Sequence, residues 1–124
     1  MAYTITTNEK EQAPVLGYIA KFLLDIGITP SLKGFQLFRN AVFLYILDSE
    51  RFSKPKILYE MLADMHGDCV DSIKSNMRNS IRQALYSGKL LKLNNIMGVK
   101  MLDKDSSISN LQLISIIAEF IRYS

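Results

Sequence analysis

Apolar residues in this chain recur every three or four positions and nowhere alternate one by one over any length. Leu16, Ile19, Leu23 and Ile26 fall on one helical face, and Ile57, Leu58, Met61, Leu62 and Met65 keep the same spacing. Val70, Ile73, Met77, Ile81 and Ala84 repeat it, and so do Leu113, Ile116, Ile117, Phe120 and Ile121. A helix needs an apolar period of about 3.6 to bury one stripe, whereas a half-buried strand needs alternation. Three prolines and six glycines in 124 residues are sparse punctuation for an all-β chain. The fold class is therefore all-α, with about six helices around one core.

Helix-end signals divide the chain. Residues 1–13 read as a flexible arm, and residues 14–124 as one domain. The first helix runs from about Pro14 to Ile26, with proline where a first turn tolerates it and Gly27 as the stop. The second spans about Leu32 to Asp48 and is apolar nearly all round, which places it at the centre of the core. The third covers about Lys54 to Met65. Gly67 then suits a left-handed helix end, Asp68 a cap for the next helix, and Asp71 that helix's first turn. The fourth helix spans about 69–87 and ends at Gly88. A short element, "KLLKLNNIMG", follows. Ser109 and Gln112 form a capping box for the last helix.

Charge is unevenly spread. The net charge is only +3, but residues 51–100 hold nine Lys/Arg against four Asp/Glu, a net of +5. Within that segment, "SIKSNMRNSIRQALYSG" (Ser72 to Gly88) carries Lys74, Arg78 and Arg82 at four-residue spacing, with small polar residues and no acid between them. A solvated face usually mixes both signs, whereas cations among hydroxyls and amides suit a polyanion. The third and fourth helices, joined by a tight glycine turn, have the helix-turn-helix layout, whose second helix enters the major groove of DNA. Arginine can grip guanine through two hydrogen bonds, asparagine can do the same for adenine, and serine and lysine reach phosphates.

Other chemistry finds little support. His66 is the only histidine and has no nucleophile beside it in sequence, so it reads as a structural or solvated residue at a helix end. Cys69 is the only cysteine; it reads as packing at a helix start and rules out an internal disulfide or a cysteine-based zinc site. No catalytic residue, metal or cofactor is expected. The longest apolar run, Ala41 to Leu47, is far short of the ~20 residues of a membrane span. The first fifteen residues lack a signal-peptide core. A cytoplasmic protein without a membrane partner is expected.

The sequence also resembles a known family, the C-terminal DNA-binding domain of the stage-zero sporulation master response regulator of endospore-forming bacteria. "DIGITPSLKGFQLFRNAV" (Asp25 to Val42) is similar to the family's "E-I-G-V-P-A-H-I-K-G-Y-x-x-L-R-x-A-I". "KILYEMLA" (Lys56 to Ala63) is similar to "K-V-L-Y-P-D-I-A". "RNSIRQALYSG" retains Arg78, Ile81, Ala84 and Gly88 of "R-H-A-I-E-V-A-W-S-R-G". Gly98 fits the family's glycine after a short fifth helix. The resemblance covers about residues 15 to 122, with a small gap near 48–53. It implies a six-helix domain that binds short DNA boxes, often as tandem head-to-tail protomers that meet through the last helix. It also implies contact with RNA polymerase sigma factor through about Lys89 to Gly98.

Two departures stand out. The family carries a receiver domain ahead of this one, and here only about fourteen residues precede the first helix, so a receiver-less form is expected. The family's "R-V-E-R-A-I-R-H" becomes "SIKSNMRN" (Ser72 to Asn79), in which Arg78 alone is kept among the polar readers. An altered base preference follows.

The reading is thus a DNA-binding transcriptional regulator. Its base-reading candidates are Ser72, Lys74, Ser75, Arg78 and Asn79, and its phosphate candidates are Lys56, Arg82, Lys89 and Lys92. The face formed by Leu113, Ile116, Ile117, Phe120 and Ile121 is the candidate dimer surface, because it exceeds what one small domain needs to cover. The alternative is a protein-interaction module that pairs through its last helix with a full-length regulator and reads no DNA itself.

Overall fold

The computed structural model describes residues 9–103 and 105–123, and in them seven α-helices and one 3₁₀ turn follow one another with no strand. The helices are α1 (Glu9–Asp25), α2 (Gly34–Leu47), α3 (Ser49–Phe52), α4 (Pro55–His66), α5 (Val70–Tyr86), α6 (Lys92–Met97) and α7 (Asn110–Arg122). The 3₁₀ turn, Lys89–Leu91, leads into α6. The all-α reading holds, with one helix more than the approximate count from sequence. No described helix is long and apolar enough to cross a membrane.

Helix α1 starts at Glu9, ahead of Pro14, so the expected arm of 1–13 is shortened from its C-terminal side. Residues 1–8 lie outside the described residues. The extra turn is built from "EKEQA", good helix formers whose preference outweighs the lost N–H of Pro14. Helix α3 was not expected either. Asp48 accepts a hydrogen bond from the Arg51 backbone N–H at 3.2 Å, and Phe52 is fully buried. Four residues are too few to show a period, so this turn was not legible from spacing.

Helix α2 is central and packs against α1, α4, α5 and α7. Phe35, Leu37, Phe38, Ala41, Val42, Phe43 and Leu44 are all buried. Both glycines of the "IG…KG" pair face the helix-turn-helix. Gly27 ends α1 with φ +92°, and a Cβ there would sit 2.9 Å from Lys89 Cβ and 3.3 Å from Ser87 Oγ. Gly34, the first residue of α2, abuts Ser80 of α5 so closely that a Cβ would collide with the serine hydroxyl. The α1–α2 connection thus braces α5 at its middle and at its C-terminal end.

Helix α4 begins as its sequence dictates, with Lys54 extended and Pro55 at the first helical position. It ends at Gly67, which is left-handed at φ +63°. After α6, Asn94 pins the returning chain: its amide donates to the Leu102 carbonyl at 2.7 Å and accepts from the N–H groups of Met101 and Leu102. The Ser109–Gln112 capping box at the start of α7 forms in full.

Candidate nucleic-acid interface

Helix α5 presents one buried and one open side. Ile73, Met77, Ser80, Ile81 and Ala84 are buried. Ser80 joins this stripe despite its hydroxyl because the hydroxyl donates to the Asn76 carbonyl at 3.0 Å. Only a small residue fits there, against Gly34.

The start of α5 differs in detail from the expectation. Cys69 occupies the N-cap in extended conformation, and its side chain is exposed, not packed. Asp68, one residue earlier, accepts from the Cys69 N–H at 2.8 Å and from the Ser72 hydroxyl at 2.9 Å. These two hydrogen bonds, with the Lys33 charge nearby, hold its carboxyl below the usual range. Ser72 also accepts from the Asn76 amide at 3.5 Å, so this candidate reader is committed to the local network.

Ser75, Arg78, Asn79 and Arg82 are exposed, and their side chains make no hydrogen bond or ion pair among the described residues. At about 100° per residue they lie opposite the buried stripe. Two further residues share this open side. Asp71 adds an acid in the first turn, and Tyr86, 96% exposed, ends the row one turn beyond Arg82. Tyr86 was legible as a continuation of the Ser75–Asn79–Arg82 spacing but was not singled out.

Lys74 is displaced from the face on which it was expected. It is half-buried on the flank, with Nζ 5.2 Å from the centroid of the Tyr59 ring, a cation–π contact with α4. The same flank is fixed by Asn110, the first residue of α7 and nearly buried. Its amide donates to the Tyr59 hydroxyl at 3.2 Å and to the Lys74 carbonyl at 3.3 Å. One side chain therefore ties α4, α5 and α7 together. Sequence reasoning missed it, because an asparagine just inside a helix start carries no sign of partners 51 and 36 positions away.

The phosphate candidates are not all together. Lys56 is exposed in the first turn of α4, beside Pro55, which lines the same groove as Lys74, Arg78 and Arg82. Lys89 and Lys92 are exposed beyond the C-terminal end of α5, on the 3₁₀ turn and at the start of α6. His66 is structural: Asn40 of α2 donates its amide to His66 Nε2 at 3.0 Å. Burial, then the positive charge of Arg39, push the imidazole pKa down.

The α7 candidates divide as well. Leu113 and Ile117 are 0% exposed, because α7 lies against α2, so neither is available to a partner. Ile116 and Ile121 are half-buried, and Phe120 is 41% exposed while packing edge-on against Phe22 with centroids 5.2 Å apart. The apolar face left open on α7 is narrower than the periodicity suggested.

A cationic, acid-poor helix side held by a glycine-turned partner helix can engage a phosphodiester strand and the base edges beside it. A comparison with known families agrees. The family described as "Sporulation initiation factor Spo0A C terminal" matches residues 19–121.

Proposed function

The chain belongs to the family of sporulation initiation factor Spo0A C-terminal domains, a family of DNA-binding effector domains, and on that premise we propose that it lays α5 in the major groove of duplex DNA as a transcriptional regulator. The observation that carries this reading is the open row of Ser75, Arg78, Asn79 and Arg82, exposed and free of internal partners among the described residues, on a helix braced from three sides. Arg78 and Asn79 are assigned to bases, with Ser75 beside them. Arg82, Lys56, Lys89 and Lys92 are assigned to phosphates. Lys74, from its flank position, is assigned to the strand bordering the groove, and Ser72 to holding the helix start.

The base preference is proposed to differ from that of the family. Serine at 72 and 75 cannot offer guanine the fork of an arginine, and Lys74 cannot accept from cytosine as a glutamate does. Each such contact is worth about 1–3 kcal/mol, so the family's box loses most of its advantage while the non-specific phosphate term persists. Competition between the family's box, a scrambled duplex and library-selected sequences tests this. A selected sequence other than the family's box is expected to win. A clear win for that box would overturn the assigned readers.

One observation favours the second reading, a module that pairs with a full-length regulator. Phe120 remains partly open at the α1–α7 side, and Tyr18, Leu24 and Tyr123 are exposed on the same two helices or just beyond. The same surface serves a homodimer or tandem protomers on DNA. A mixed complex without any DNA footprint would favour the second reading. Contact with RNA polymerase sigma factor is proposed for the exposed residues between Lys89 and Gly98.

A further inference from the structure

A groove of about 800 Å³ runs along the flank of α5, between that helix and the first turn of α7. One rim is the row Lys74, Arg78 and Arg82. The apolar lining includes Ile81, Leu85, Ile108 and Leu111, together with Tyr59 and Pro55. The serines before α7, with Asn110 and Gln112, complete the lining, and among the described residues no acid contributes to it. Among the described residues, no carboxylate pairs with any of the three cations.

The combination is unusual for a surface that meets only a phosphodiester. A DNA strand has no large apolar group to cover Ile108 and Leu111, and its oxygens would lose water against them without gaining partners. A helix with acids on one face and apolar residues beside them satisfies both features. Lys74 and Arg82 are eight residues apart, about 12 Å along the axis, so three acids at four-residue spacing on a facing helix meet the three cations in turn. Exposed ion pairs contribute little individually, so they steer and orient while the apolar lining supplies the affinity.

We propose that this groove docks an acidic amphipathic helix of a partner protein, and that the partner and DNA exclude one another because both use Arg78 and Arg82. Docking stands on the groove alone. The mutual exclusion rests on the DNA reading, and it gives the regulator a means of being held off DNA by a protein.

A labelled synthetic helical peptide of glutamate and leucine tests the docking by fluorescence anisotropy. Two controls accompany it, one with its leucines replaced by serine and one with its glutamates replaced by lysine. The glutamate–leucine peptide is expected to bind at least tenfold tighter than either. Ile108→Ser and Leu111→Ser should each weaken that peptide about three- to tenfold while duplex affinity stays within about twofold, since neither lies on the open side of α5. Retained helical circular dichroism and retained duplex binding show that the variants fold. Binding no tighter than the serine control, or no effect of either variant, overturns the docking. Unlabelled duplex should release the peptide; simultaneous binding of both overturns the exclusion. Peptide binding by a protein that takes up no duplex would leave the groove assignment standing and sink the DNA reading and the exclusion with it.

Discussion

Gly34 at the start of α2 meets Ser80 in the middle of α5 with no room for a single additional carbon. A Cβ on Gly34 would collide with Ser80 Oγ, lie 2.7 Å from Ser80 Cβ and 3.0 Å from the Asn76 carbonyl. The close approach lets α2, the most buried helix, lie directly on the back of α5. Gly34→Ala should therefore cost about 1–3 kcal/mol, the usual penalty of overpacking a filled site. Pairing it with Ser80→Gly should cost less than the sum of the two single changes, because the second vacates the space the first needs. Urea unfolding of the four proteins measures the coupling. Strict additivity would show that the two helices separate freely.

Asn110 should act at a distance from its own helix. Asn110→Ala removes hydrogen bonds to Tyr59 and to the Lys74 carbonyl, and is expected to lose about 1–2 kcal/mol of stability. It should also weaken duplex binding, because α5 loses its tie to α4 and α7. Denaturation and a DNA titration on the same sample check both. Unchanged stability would mean that packing alone sets the flank of α5.

The helix stripes, the left-handed Gly67, the full capping box of Ser109 and the central place of α2 were all legible, because each depends on residues of a single helix and its ends. What was not legible depends on distant partners. Lys74 shares the four-residue spacing of Arg78 and Arg82, yet successive steps of four turn it toward the buried side, where the Tyr59 ring from α4 receives it. Leu113 and Phe120 read alike as apolar positions of one helix. Only the placement of α2 buries the first and leaves the second partly open. Of the base-reading candidates, Ser75, Arg78 and Asn79 stand open, while Ser72 is occupied by Asp68, an arrangement set by the turn geometry rather than by the helix period.

His66 gives the fold a dependence on pH. Burial and Arg39 lower its pKa, outweighing the α4 carbonyl ends that would favour its charge. The unfolded chain therefore binds the proton more readily than the folded one. The stability contributed by keeping His66 neutral is fully present above about pH 6.5, the unfolded value, and is lost as pH falls through the lower folded value. Protonated Nε2 would also face the Asn40 amide donor. His66→Gln, which can still accept from Asn40, should flatten the stability profile between about pH 7 and pH 5. A wild-type profile that rises on acidification over that range would contradict the assignment.

Arg78→Ala and Arg82→Ala should separate reading from holding. Arg78, mid-row, is expected to cost about 1–3 kcal/mol and to relax one position of the selected site. Arg82, one turn nearer the helix end, should weaken all sequences alike. Neither contributes to the buried stripe, so both variants should keep wild-type stability to within about 0.5 kcal/mol. Selection from a random duplex library with each variant distinguishes them, and equal loss of preference would contradict the division of roles.

The central claim, that the open side of α5 lies against DNA, is tested most directly by titrating a labelled duplex with the protein at several salt concentrations. Each neutralised phosphate contributes a slope of about −0.9 to log K against log salt. With Lys56, Arg82, Lys89 and Lys92 assigned to phosphates, binding should be tight at low salt, with a slope of several units that falls by about one unit in Arg82→Ala. No binding at low salt, or binding whose slope is unchanged by removing Arg82, would contradict it.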